Sequence, residues 1–150
     1  MLQENIKAKG LVSFTLYDEH GNVKESQEHN LIVNAGLSFI TERMTGNTPG
    51  VISHMALGSN TAAATAANTA LGTELGRIAL SSTARVTTTA TNDSVQHSAT
   101  FGPGSATGAV TEAGLFNASS NGTMLARTVF AVINKGTLDT LAITWKIVLI

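Results

Sequence analysis

From Ile6 to Tyr17 the side chains alternate. Ile6, Ala8, Gly10, Val12, Phe14 and Leu16 fall on one side, and Lys7, Lys9, Leu11, Ser13, Thr15 and Tyr17 on the other. A repeat of two belongs to a pleated strand, whose successive Cβ atoms point to opposite faces. A helix with its 3.6 repeat would scatter these apolar residues around its circumference. The alternation returns at Val95, His97, Ala99 and Phe101, set against Gln96, Ser98 and Thr100. It returns again at Leu141, Ile143, Trp145, Ile147 and Leu149. There the opposite face, Ala142, Thr144, Lys146, Val148 and Ile150, is also largely apolar, so this last strand is expected to be central and nearly buried.

Clusters of turn residues separate these runs. Asp18-Glu19-His20-Gly21-Asn22 would return the chain into a polar edge strand from Val23 to His29. Further strands are expected at Val51–Leu57, Thr83–Thr91, Ala109–Phe116 and Met124–Val132, with turns at Asn92-Asp93-Ser94, Gly102-Pro103-Gly104, Ala118 to Gly122 and Asn134 to Thr137. The period changes once with conviction. Leu37, Ile40 and Met44 follow a potential Asn34 cap at helical spacing, which predicts a short helix over Ala35–Met44. A second short helix is expected over Thr69–Arg77, and the Ala/Thr-rich stretch Thr61–Asn68 reads as an exposed loop. The whole is an all-β chain with one or two short helices, a β-sandwich or jelly roll. It reads as one domain over residues 1–150, with residues 1–9 as an N-terminal arm.

The chain has 150 residues, Lys+Arg 9 against Asp+Glu 10, and no Cys. It is long enough to bury a core without a metal or disulfide staple. The net charge of -1 gives no basic excess for nucleic acid or an anionic membrane. Without Cys there is no thiolate ligand or nucleophile. No apolar run has the length of a membrane span or the flanks of a signal peptide. The expectation is therefore a protein with no nucleic-acid, membrane or small-molecule partner and no cofactor.

Catalytic motifs are equally scarce. His20, His29, His54 and His97 are scattered, with no pair at metal-ligand spacing. No Ser sits in a nucleophile elbow, and Gly102-Pro103-Gly104 lacks the Lys and helix of a phosphate loop. Asp18-Glu19 and Glu25 with Glu28 read as a solvated hairpin, and the N-x-S/T triplets at Asn92, Asn117 and Asn121 as chance matches in a Thr- and Ser-rich chain. The one constellation with a logic is Glu112 with Arg127. In a hairpin centred between Ser119 and Ser120 they oppose each other directly, with Phe116 opposite Thr123 and Gly114 opposite Leu125. Such a pair serves the sheet rather than a reaction, and a charge exchange should recover what single changes lose. The chain is read as a non-enzyme.

The stretches Thr111 to Ala118, Gly122 to Phe130, Ile133 to Gly136 and Leu141 to Trp145 resemble the C-terminal signature of small virion structural proteins of tailed bacteriophages. Asn34-Ala35-Gly36-Leu37, Ala56 to Asn60 and Thr69 to Arg77 match the same pattern, so the resemblance covers most of the chain from Leu31 onward. It implies a head decoration, or cement, protein that binds the major capsid protein on the capsid surface and stabilises the shell. A tail, collar, baseplate or fibre component, receptor-binding or not, is the alternative; tail proteins of the same phage are then the partners. A small carbohydrate-binding module is the third reading, disfavoured by one Trp and one Tyr. A homo-oligomer, a trimer by analogy, is expected, with Met1, Leu2, Gln3, Glu4, Asn5 and Ile6 as the arm that contacts a neighbour.

Overall fold

The computed structural model describes residues 7–29, 32–47 and 49–149. Nine strands and one helix follow in the order β1 (Ala8–Tyr17), β2 (Val23–His29), α1 (Asn34–Met44), β3 (His54–Gly58), β4 (Glu74–Ala79), β5 (Ser82–Val86), β6 (Ser94–Phe101), β7 (Gly108–Phe116), β8 (Met124–Lys135) and β9 (Thr140–Leu149). They form two antiparallel sheets. Sheet A runs β2-β1-β9-β6-β5 and sheet B runs β4-β3-β7-β8. The all-β expectation holds, and the arrangement is a sandwich.

The alternation decides what lies between the sheets. Val12, Phe14 and Leu16 of β1, Ala99 and Phe101 of β6, and Leu141, Ile143, Trp145 and Ile147 of β9 face inward from sheet A. Met55, Leu57, Val110, Ala113, Leu115, Phe130 and Ile133 meet them from sheet B. Trp145 lies between Val12 of β1 and His97 of β6 and is fully buried. Phe14 and Phe130 touch across the sandwich, with ring centroids 4.2 Å apart. Each large apolar side chain removed from water contributes about 1.5–3 kcal/mol, so this layer is the main source of stability. β9 is central, as its composition implied. Its outer face is only partly covered, since Ala142, Thr144 and Lys146 stay half-buried and Val148 alone is buried.

Three readings are corrected. The helix starts at Asn34, but Asn34 does not cap it; Val33 holds that position without a side-chain hydrogen bond. The Asn34 amide instead donates to Ala66 O at 2.8 Å. The helix expected over Thr69–Arg77 is absent: a turn leads into β4 at Glu74, because tertiary hydrogen bonds claim the Gly72 and Thr73 amides (below). Of the proposed arm, Ala8 and Lys9 belong to β1 and pair with Leu149 and Val148 of β9. Met1, Leu2, Gln3, Glu4, Asn5 and Ile6 lie outside the described residues.

Helix α1 rests on the start of β8. Gly36 makes this approach possible, since a Cβ there would run into the carbonyl of Leu125. A backbone atom cannot swing aside as a side-chain tip can. Gly36→Ala is therefore expected to lower stability by about 1–3 kcal/mol, the usual cost of overpacking. An unchanged urea midpoint would show that the helix is free to lift away.

Candidate functional site

The middle strands of sheet B, β3 and β7, are buried on both faces, and the outer face there is where the polar chemistry of the chain gathers. Ala56 and Gly58 of β3 and Gly114 of β7 leave a shallow surface there. The connection between β3 and β4, residues 59–73, lies down on it. Leu71, Phe116, Met124, Val33 and Ala56 make a small apolar cluster under this roof. A Cβ on Gly58 would collide with Glu112 Oε1 and Thr73 O, and one on Gly114 would press on Leu71 at 3.1 Å. These glycines are the condition for the close fit.

Glu112 and Arg127 sit in the middle of this contact, 0% and 2% exposed. Arg127 donates to Glu112 Oε2 from Nε at 3.0 Å and from Nη2 at 2.8 Å. The same carboxylate accepts three backbone amides of the roof: Asn60 at 3.2 Å, Gly72 at 3.0 Å and Thr73 at 2.8 Å. Arg127 also reaches the roof, donating to Asn68 Oδ1 at 2.9 Å, Ala62 O at 3.1 Å and Ala63 O at 3.5 Å. Thr111 Oγ1 adds a bond to Asn60 O at 3.0 Å. A buried charge pair is tolerated only when its remaining donors and acceptors are satisfied, and here the loop backbone satisfies them. The pair is a latch that fastens residues 59–73 to the sheet.

The two residues come together, though not in the register expected. Glu112 opposes Val129 and Arg127 opposes Gly114, while Phe116 opposes Met124 rather than Thr123. The hairpin is slipped by two residues, with shifts between Val110 and Glu112 and between Leu115 and Phe116. A slip of two keeps every side chain on its face, and a diagonal neighbour remains within reach of a long side chain. The pair survives for that reason.

Beside the latch, Arg77 fixes the β7–β8 turn. It clasps Glu74 at 3.0 and 2.7 Å and donates to Ala118 O and Asn121 O at 3.0 and 2.9 Å. Its guanidinium lies 3.7 Å from the centroid of the Phe116 ring. A cleft of about 430 Å³ opens here between Thr69, Glu74, Arg77 and Ser119 to Gly122. Phe116 borders it but is 1% exposed, so it offers no ring face for a sugar to stack on.

A second cleft, about 410 Å³, lies at the end of the sandwich between α1 and sheet A. Ile40, Met44, Val95, Leu125 and Ile147 line it, and Arg43 and Arg85 stand at its edge. His97 also lines this cleft; it is 4% exposed and meets Thr83 Oγ1 at 3.0 Å through Nδ1. Burial pushes its imidazole down to about 4, so it is neutral at pH 7. The other histidines are elsewhere. His20 is in the exposed β1–β2 turn, His54 opens β3 beside Ser53 Oγ at 2.8 Å, and His29 ends β2. Among the described residues no three His, Asp or Glu side chains gather as metal ligands.

Sequence reasoning found the latch pair but missed its acceptors and donors. Backbone groups of a low-complexity loop carry no side-chain signature; the glycines at 58, 72 and 114 were the available signal. The end cleft joins five separate segments and was not foreseeable from any one of them. Comparison of the chain with protein-family models, with curated proteins and with solved structures found no match.

Proposed function

We propose that this chain is a structural protein of a tailed-bacteriophage virion, a decoration protein that sits on the capsid as a homotrimer and binds the major capsid protein. The observation that supports this reading is how the buried polar groups are used. Glu112 and Arg127, both buried charges of sheet B, are consumed in holding a loop to the fold. The result is a stiff two-sheet block whose outer surface is rich in Thr, Ser and Ala, suited to broad shallow contacts with a shell. The resemblance of residues 111–145 to small virion proteins supplies the particle. That resemblance is an analogy of pattern for the virion as a whole, and a tail, collar or baseplate position is the alternative reading.

Gold-labelled antibody against the purified chain, applied to intact particles that carry it, tests the proposal. Label spread over the shell is the expected result. Label confined to tails would assign the chain to the alternative position. A particle without label would end the virion reading.

A further inference from the structure

We propose that the end cleft binds a medium-chain monocarboxylate, with the alkyl tail held between α1 and sheet A and the carboxylate held by Arg43 and Arg85. This goes beyond the virion reading and does not depend on it.

The pairing of sheet A builds the site. Arg85 of β5 opposes Val95 of β6, and Val95 opposes Ile147 of β9. Partners across a ladder point to the same face of a sheet. Here it is the inner face, on which Ile147 joins the core. Ile40 and Met44 of α1 and Leu125 of β8 complete the wall. The row thus runs from a guanidinium at the edge to two apolar side chains within. It spans two strand spacings, about 10 Å, which is room for the extended tail of a medium-chain acid.

The cleft is of a suitable size and is preformed. Its volume, about 410 Å³, lies in the range of small-molecule sites, which are mostly apolar with a few placed polar groups. Met44 at 81% and Leu149 at 45% exposed leave apolar surface at its mouth. The rim is held in shape by the protein itself. The Asp93 carboxylate accepts the amides of Thr88, Thr89 and Ala90 at 2.9, 2.8 and 2.8 Å and Ser94 Oγ at 2.7 Å. Asp93 O accepts the Leu149 amide at 3.0 Å. A site already ordered loses less entropy when a ligand enters.

Charge selects the head group. With His97 neutral, the lining carries Arg43, Arg85 and Asp93 as its charges at pH 7. Asp93 is engaged by its own loop, which leaves the two cations. Arg43 gives Nη1 to Pro49 O at 3.1 Å and keeps its other donors. Arg85 has no ion-pair partner among the described residues. The arginine fork matches a carboxylate with two parallel hydrogen bonds. An apolar wall that ends in guanidiniums fits a ligand with an apolar body and one anionic end. A neutral hydrocarbon leaves the guanidiniums unused, and an inorganic anion leaves the walls wet.

Isothermal titration calorimetry of the full chain at pH 7 with sodium octanoate, sodium decanoate and 1-decanol is the test. Both acids are expected to bind saturably, and each methylene added between them should tighten binding about four-fold, the factor for burying one CH₂. 1-Decanol should bind about ten-fold or more weakly than decanoate, because it lacks the charge-assisted pair. Arg85→Glu and Met44→Glu, both at exposed positions, should each weaken decanoate binding by about ten-fold with an unchanged circular dichroism spectrum. Methyl NMR should place the decanoate-induced shifts at Ile40, Val95 and Ile147. Should a variant fail to fold, the contrast between decanoate and 1-decanol and the methyl shifts decide. No saturable binding, equal affinity for decanoate and 1-decanol, or methyl shifts away from the cleft overturns the proposal.

Discussion

Reversing both charges of the buried latch, Glu112→Arg together with Arg127→Glu, is expected to leave the protein no more stable than either single variant. The sequence suggested the opposite, because two opposed charges in a sheet are symmetrical. The latch is not. An arginine at 112 would face the amide donors of Asn60, Gly72 and Thr73, and a glutamate at 127 would face the carbonyls of Ala62 and Ala63. Like would meet like at five points. Each single reversal sets two like charges together in a buried site, which costs at least as much as a single stranded charge, about 3–5 kcal/mol. That is a large part of the roughly 5–15 kcal/mol that holds a typical domain together. The apolar double variant, Glu112→Leu with Arg127→Met, should remain destabilised, since the three roof amides lose their acceptor. Urea midpoints for the four chains are the measurement. Recovery in the charge-reversed double would mean that the roof is not bound through this pair.

The second large effect is on pH. The imidazole of His97 holds its proton less well in the folded state, near 4, than in the unfolded chain, where the ordinary value is near 6.5. Between those limits the unfolded chain binds the extra proton. Stability therefore rises with pH across this window and falls as pH drops from about 6.5 towards 4, by up to about 3 kcal/mol. Arg43, Arg85 and Asp93 share the cleft with it. Burial is the cause of the His97 shift, and the Asp93 carboxylate is itself held well below its usual range by Ser94 and the amides of Ala90, Thr88 and Thr89. Asp93 and Asp139, both shifted down by hydrogen bonds, contribute above the carboxylate range and are lost only at more acid pH. His97→Gln should flatten the profile between pH 4 and 6.5 while leaving the steeper acid limb. An unaltered slope in that variant would assign the acid sensitivity to other groups.

How much of this could be read in advance depends on which forces leave a trace in the sequence. Burial on one face of a strand does, and the runs Val12-Phe14-Leu16 and Leu141 to Ile147 located the core face of sheet A. Pairing register leaves a weaker trace. The hydrophobic pattern forbids a slip of one but permits a slip of two, and the β7–β8 hairpin shows that freedom being used. Backbone hydrogen bonds to distant side chains leave almost none. The Thr69–Arg77 stretch has local helical character, yet Gly72 and Thr73 donate to Glu112, some forty residues away, and that decides its shape. Asn34 likewise has the chemistry of a cap, but its amide is engaged by Ala66 and the helix begins without it.

The place of β9 in sheet A has a consequence for how the chain acquires its shape. Among the described strands it comes last in sequence, and it lies at the middle of the sheet, between β1 and β6. The β1–β2 hairpin can form early, but its inward residues Val12, Phe14 and Leu16 have no neighbour on their open side until β9 arrives. Almost all the other described elements separate β1 from β9 in sequence, and loop closure over so many residues is slow. The apolar edge of β1 stays uncovered throughout, in the condition that invites pairing with other nascent chains. Completion of sheet A is thus paced by the arrival of β9 between β1 and β6.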